Sequence, residues 1–274
     1  METRRTHLIV GGFPKGTHAG HDMEYARLRL LTLLWERADT VATVTGDYSD
    51  LDRWLPDARL LITYVAGPYP DGAQNAALRD WLEAGGRWLA LHGSAGGRAA
   101  RSEDRKTRRM VKTAHHATLG GFFINHPPTR RFRVDVADPE DPLTRGLPAS
   151  FEVVDEPYMV ELQDPAATQV LLTAAIGPDT SPPGFGFTYD EDTALLPDGK
   201  TRVLAYRRTV GQGGVTYVAL GHCHSPLSRN RTPVDASVDP AGASPAVLRG
   251  PWETTAYQQL LRNAITWGVG GDGP

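Results

Sequence analysis

The chain lacks most of the features that give a function away at once. It has one cysteine, Cys223, so an internal disulfide is excluded and a reducing cytoplasm is the expected compartment. No apolar run approaches the roughly 20 residues needed to cross a bilayer. The opening "METRRTHLIVGGF" reads as a first strand rather than a signal-peptide core. Charge is nearly balanced at -3 over 274 residues, which argues against nucleic acid or an anionic membrane as a partner. The glycine-rich stretch after residue 92 has neither the lysine spacing of a P-loop nor the G-x-G-x-x-G of a dinucleotide site.

Short, nearly continuous apolar segments are present. "HLIVGG" (7–12), "TVATVT" (40–45), "LLITYV" (60–65) and "RWLALH" (87–92) read as strands buried on both faces of a parallel sheet. Between the first two, Met23, Ala26, Leu30, Leu33 and Leu34 share one helical face behind Asp22 as N-cap. Between the last two, "DGAQNAALRDWLEAGG" predicts a helix closed by Gly85 and Gly86. The alternation predicts a doubly wound α/β sheet with ligands at the carboxyl ends of its strands. "RRFRVDV", "MVEL" and "TQVLLTAA" predict an antiparallel extension, and "RVLAYRRT" with "GVTYVALGH" a hairpin through "VGQGG". A last helix puts Tyr257, Leu260, Leu261, Ala264 and Ile265 on one face. A single domain over 1–274 is expected, with binding or lid loops at 177–200 and 225–251.

The segment "RWLALHGSAGG" (87–97) runs from a strand into a turn of small residues. A nucleophile elbow needs small residues two before and two after its central residue. With Ser94 at the centre, His92 occupies a position that must be small. With His92 at the centre, the flanks are Ala90 and Ser94, so histidine takes the corner. An imidazole there serves as base, hydrogen-bond donor or metal ligand. In "LGGFFINHPP", His126 is fixed before a proline. In "FEVVDEPYMVEL", Asp155 and Glu156 interrupt an apolar run just before Tyr158, where charge is costly away from a cleft. Adjacent carboxylates on an extended chain diverge, so one of the two faces any given site. "VALGHCHSP" puts His222 and His224 on one face, a spacing compatible with a metal, with Cys223 directed away. His18 and His21 lie in the loop after the first strand, and His115 and His116 diverge on a helix. The basic stretch 98–112 reads as a solvated helix face.

Taken together, these pieces resemble the ThuA-like (trehalose utilisation) family within the class I glutamine amidotransferase-like superfamily. The matching segments are the histidine loop before the first helix, "GGRWLALHGS", "LGGFFINHP", "ADPEDPLTRGLPASFEVVDEPY", "VLAYRRTVGQGGVTYVALGH" and "TTAYQQLLRNAITWGVGG". The resemblance implies a flavodoxin-like fold in which the amidotransferase cysteine is replaced, hence no glutaminase activity. It also implies carbohydrate catabolism beside enzymes that make 3-keto-glycosides, and in some relatives a divalent metal, zinc or manganese. Carried over, the polar cleft comprises His92, His126, Glu156 and His222 as catalytic groups. His21, Ser94, Asp155 and Tyr158 are the substrate-binding ones.

Three functions follow as expectations. The first is acid/base, metal-assisted chemistry on a sugar or keto-glycoside. Glu156 or His126 would remove a proton, and His92, His222 or a metal would stabilise the resulting oxyanion. The second is non-catalytic sugar binding or scaffolding on the same fold. The third is a serine hydrolase using Ser94. The expected partner is a small sugar ligand, and the oligomeric state, homo-oligomer included, stays open.

Overall fold

The computed structural model describes residues 3–228 and 233–270. Four residues of the expected 225–251 loop, and the tail of the closing motif, lie outside the described residues.

The parallel half of the sheet forms where the sequence is most continuously apolar. Strands β1 (Arg4–Gly11), β2 (Thr40–Thr45), β3 (Ala58–Val65) and β4 (Arg87–Leu91) pair in the order β2-β1-β3-β4, all parallel. Helix α1 (Met23–Trp35) buries the five residues of the predicted stripe, and the Asp22 side chain accepts from the Tyr25 amide as its cap. A single turn, α2 (Leu51–Trp54), connects β2 to β3. Helix α3 (Gly72–Glu83) starts on a capping box between Asp71 and Gln74. It ends at Gly85, whose φ of +112° suits glycine.

After β4 the chain departs from the predicted pattern. The basic stretch is not a helix: β5 (Arg98–Arg101) and β6 (Arg108–Val111) form a two-stranded antiparallel hairpin. Six residues between the strands close it through Ser102, whose hydroxyl donates to Asp104 at 2.7 Å. Arginine and alanine are compatible with either element, and no apolar period distinguished them. Helix α4 (Ala114–Leu119) leads to β7 (Gly121–Asn125).

The antiparallel extension is present, with one reassignment. Strands β8 (Arg130–Val136), β9 (Ser150–Asp155), β11 (Gln169–Ala175), β12 (Thr201–Val210) and β13 (Gly213–Val218) complete a nine-stranded sheet. Its order is β2-β1-β3-β4-β13-β12-β11-β8-β9. "MVEL" is β10 (Met159–Leu162), which leaves that sheet and pairs with β7. The predicted hairpin is β12–β13, and β13 lies parallel to β4. Helix α5 (Thr255–Gly268) buries its predicted face. The carboxyl ends of β4 and β13 therefore sit side by side, and β9 ends at Asp155, beside the turn after β13. No helix among the described residues is long and apolar enough to cross a membrane.

Candidate functional site

The corner after β4 is where the sequence puts it. His92 is fully buried and takes φ +44°, a left-handed conformation that a non-glycine residue adopts at a cost. Three contacts hold it there. Tyr217 donates to the His92 carbonyl at 2.9 Å, and His115 and His116 contact the carbonyls of Ser94 and Gly96 through Nε2 at 2.8 and 3.0 Å. Both histidines of the "HH" pair thus brace the turn, and neither reaches the ligand side. Gly93 is obligatory for another reason: a Cβ would lie 2.4 Å from the Val65 carbonyl oxygen.

Three imidazoles and one carboxylate meet above this corner. One atom each from His21, His92, Glu156 and His222 lies within 4.8 Å of the other three. The surrounding hydrogen bonds decide which atoms point inward. His92 donates Nδ1–H to the Ala219 carbonyl at 2.7 Å, which leaves Nε2 facing Glu156 Oε2 at 3.3 Å. His21 donates Nδ1–H to the Ala19 carbonyl at 3.0 Å, and its Nε2 is buried with no protein hydrogen bond. His224 donates Nε2–H to the Pro245 carbonyl at 2.7 Å, so its Nδ1 accepts from His222 Nε2 at 2.9 Å. His222 Nδ1 then stands 3.2 Å from Glu156 Oε2. The Ala19 and Ala219 carbonyls, and His224 held by the Pro245 carbonyl, thus occupy the outer nitrogens. An inward nitrogen carries a lone pair when its ring is neutral, and that of His92 or His222 donates to Glu156 when it bears a proton.

Electrostatics follow from that crowding. Burial pushes His21 well below the usual imidazole range, and the neighbouring His92 and His222 push it further. Burial also lowers His222, against the pull of Glu156. For His92 burial is outweighed by the Glu156 hydrogen bond and the charges of Asp155 and Glu156, so it lies above its ordinary value. Burial raises Glu156, but His126, His222 and His92 outweigh it and hold the carboxylate well below its usual value. The cluster stabilises one positive charge beside Glu156. A proton on His92 supplies it, and a divalent cation would supply it with less repulsion among the ring nitrogens.

The other expected residues divide clearly. Tyr158 stacks on His92 at 4.1 Å between centroids and on His126 at 5.4 Å. His126 donates Nδ1–H to the Pro127 carbonyl at 2.8 Å, and its Nε2 lies 3.8 Å from Glu156 Oε2. Asp155 and Glu156 do diverge. Asp155 is fully buried and accepts from the amides of Gly221, His222 and Glu156 at 2.7, 2.9 and 2.8 Å, so it fixes backbone instead of touching a ligand. Burial raises its carboxyl to about 7 despite His92 and those amides. Ser94 is not at the site: it is fully buried, and its hydroxyl pairs with Thr63. Ser94→Ala is accordingly expected to leave turnover unchanged and to cost about 1 kcal/mol of stability, measured by urea unfolding beside an activity assay. His18 lies outside the cluster, and His224 supports His222 without entering it. The Cys223 thiol turns away toward the Asp22 carbonyl, where burial pushes it up to about 12.

A cavity of about 730 Å³ opens over the cluster, within the usual range of small-molecule sites. His21, His126, Glu156, Tyr158 and His222 line its inner part, and Tyr69, Phe123 and Phe187 form an aromatic wall. His92 lies beneath that surface. The 177–200 loop contributes Phe187, held because Asn125 accepts the Phe187 amide at 3.0 Å and donates to Asp179 at 3.0 Å. Arg98, Arg101 and Arg108 of the β5–β6 hairpin also line the cavity. Sequence reading missed this hairpin wall and the positioning roles of Tyr217 and His224. Only the unusual basicity of 98–112 marked the first.

The family described as trehalose utilisation, ThuA, matches residues 13–232. Among solved structures, a ThuA-like protein from Bacteroides uniformis superposes with a TM-score of 0.61 at 18% identity, over 97% of this chain and 91% of that one. A ThuA-like protein from Parabacteroides merdae gives 0.58 at 16% identity, over 98% and 91%. A β-galactosidase from Rahnella sp. gives 0.51 at 14% identity, over 80% of this chain and 29% of that one. At these identities the likeness speaks for the fold, which is flavodoxin-like and of the glutamine amidotransferase type. No curated protein matches the sequence.

Proposed function

This chain belongs to the ThuA family, and from that premise we propose that it processes a sugar or keto-glycoside by proton transfer assisted by a divalent cation. The family description, trehalose utilisation, ties it to carbohydrate use. The observation that carries the chemical reading is the convergence of His21, His92 and His222 on Glu156 with their outer nitrogens occupied. Three imidazoles and a carboxylate are a donor set for zinc or manganese. Such a cation, when bound, supplies Lewis acidity to a substrate carbonyl and offsets charge on its oxygen.

The remaining work falls to His126. Its Nδ1–H is committed to Pro127, so Nε2 is the basic nitrogen, and it faces the cavity beside Glu156. In this reading His126 takes the proton from the carbon next to a sugar carbonyl. The C–H electron pair moves into the carbon–carbon bond, and the carbonyl π pair moves to oxygen. If the adjacent carbon bears a hydroxyl, that hydroxyl gives up its proton and the former carbonyl oxygen gains one, so return of the carbon-bound proton to the former carbonyl carbon gives isomerisation. Alternatively the enolate oxygen pair re-forms the carbonyl, the C=C pair expels a leaving group from the next carbon, and that group departs with the proton from His126, giving elimination. Tyr158 keeps the base oriented by stacking. Glu156, nearly buried within the cluster, is better placed as a ligand than as the base.

Proton nuclear magnetic resonance in D2O tests this on a panel of 3-keto-glycosides, with and without Zn²⁺ or Mn²⁺. The expected result is exchange of the hydrogen beside the keto group and slow conversion. His126→Gln is expected to lower kcat by about 10²–10⁴-fold with little change in KM. A panel untouched under every metal condition would leave sugar binding without catalysis as the function.

A further inference from the structure

The hairpin at the cavity carries like charges where a hairpin ordinarily avoids them. Arg101 and Arg108 are direct cross-strand partners on the antiparallel pair β5–β6. Like charges so placed repel. Together with Ala99 and Met110 they form the face that lines the cavity, and Arg98 adds a third guanidinium at the start of β5. Two of the hairpin's other cations are paired: Arg109, on the opposite face, with Asp190, and Lys106 with Asp104 in the turn. Among the described residues, neither Arg98, Arg101 nor Arg108 has an acidic partner. Arg108 is also held in place, with its guanidinium over the Phe187 ring at 4.3 Å and its Nε donating to the Gly186 carbonyl at 3.2 Å. Repelling cations at a cavity, one of them held in place, are the arrangement that an anion relieves.

We propose that the sugar taken by this cavity is anionic, with its phosphate or carboxylate held between Arg101 and Arg108 while the sugar ring reaches toward Tyr158 and His126. This rests on the reading of the cavity as a sugar site and narrows the substrate class within it. Guanidinium forks bind both phosphate and carboxylate bidentately, so the shared requirement is an oxyanion remote from the reacting carbon. Arg98 widens the positive field there, and salt screens it.

Isothermal titration of the whole protein with glucose, trehalose, glucose 6-phosphate, trehalose 6-phosphate and glucuronate tests the inference. Binding does not require turnover, so the outcome stands apart from the catalytic reading. The expected result is that an anionic member binds about 10- to 100-fold more tightly than its neutral counterpart. That preference should shrink with added salt and vanish in Arg101→Gln/Arg108→Gln while neutral-sugar affinity is unchanged. Comparing the phosphates with glucuronate identifies which oxyanion is preferred. Arg109→Gln, on the far face, should keep the preference. Equal affinity for neutral and anionic sugars, or a preference that survives the double substitution, overturns the inference and leaves the sugar reading intact. If none of the five binds, this inference falls, and the sugar reading stands or falls on the keto-glycoside exchange test.

Discussion

If the proposed cation binds, the protein is expected to purify with about one equivalent of zinc or manganese, and Glu156→Ala to abolish that stoichiometric binding. His92 Nε2 and His222 Nδ1 stand 3.3 and 3.2 Å from Glu156 Oε2, His21 offers a nitrogen within 4.8 Å, and the carboxylate is the only negative charge of this four-residue cluster. Removing it leaves neutral donors whose lone pairs repel and nothing to balance a dication. Alterations outside the ligand set alone lower metal affinity by about 10–100-fold, so loss of the charged ligand should exceed that. The series has an internal order. Glu156→Ala and His222→Ala should lose most, whereas His224→Ala should lose about 10–100-fold, because it only fixes the His222 tautomer. Elemental analysis of untagged protein and competition against a chromophoric chelator read both effects. Chelation should also lower the melting temperature of the native protein, since a ligand present at 1,000 times its Kd contributes about 4 kcal/mol. Protein that contains no metal after growth in supplemented medium, and binds none by calorimetry, would refute the cation-assisted reading.

Much of this cluster was legible because its parts sit at strand ends. His92 was identified by a size argument: only small neighbours tolerate the elbow, and Ala90 and Ser94 are small where His92 itself is not. The observed φ of +44° is the backbone counterpart of that argument. Asp155 and Glu156 were legible as charges that interrupt an apolar run, and their divergence followed from strand geometry. What sequence could not decide is which of the two faces the histidines. That depends on the turn after β13, whose amides Asp155 captures. His21 was expected as a substrate contact and is equally placed to be a ligand, because its loop folds back over β3 and meets Tyr64 and His222 edge-on. The hairpin at 98–111 was misread for a plain reason. Its strands, Arg-Ala-Ala-Arg and Arg-Arg-Met-Val, lack the apolar period that separates a surface helix from a surface hairpin. "MVEL" was correctly a strand, but local composition says nothing about which sheet a strand joins.

Asp155→Ala should destabilise the protein by about 4 kcal/mol, the largest loss expected from a residue that touches no ligand. Its two oxygens accept three backbone amides, from Glu156, Gly221 and His222, all in buried residues. Gly221 takes φ +130°, and a Cβ there would lie 2.7 Å from the Tyr257 hydroxyl, so the turn has no alternative conformation nearby. Its successive amides form an anion-binding concavity that an internal carboxylate fills. Truncation leaves three buried donors without acceptors, each costing about 1–3 kcal/mol if no water enters. Asp155→Asn should be nearly as damaging, because its amide group would present a donor to one of those N–H groups. Urea unfolding gives the stability change. Metal content gives a second reading, since the freed turn no longer fixes the backbone that positions His222. A variant within about 1 kcal/mol of the parent would mean that water or a shifted turn satisfies those amides. Positioning of His222 would then have to come from Tyr64 and Trp252, which donate to the Gly221 carbonyl at 2.9 and 2.7 Å from the other side of the same turn.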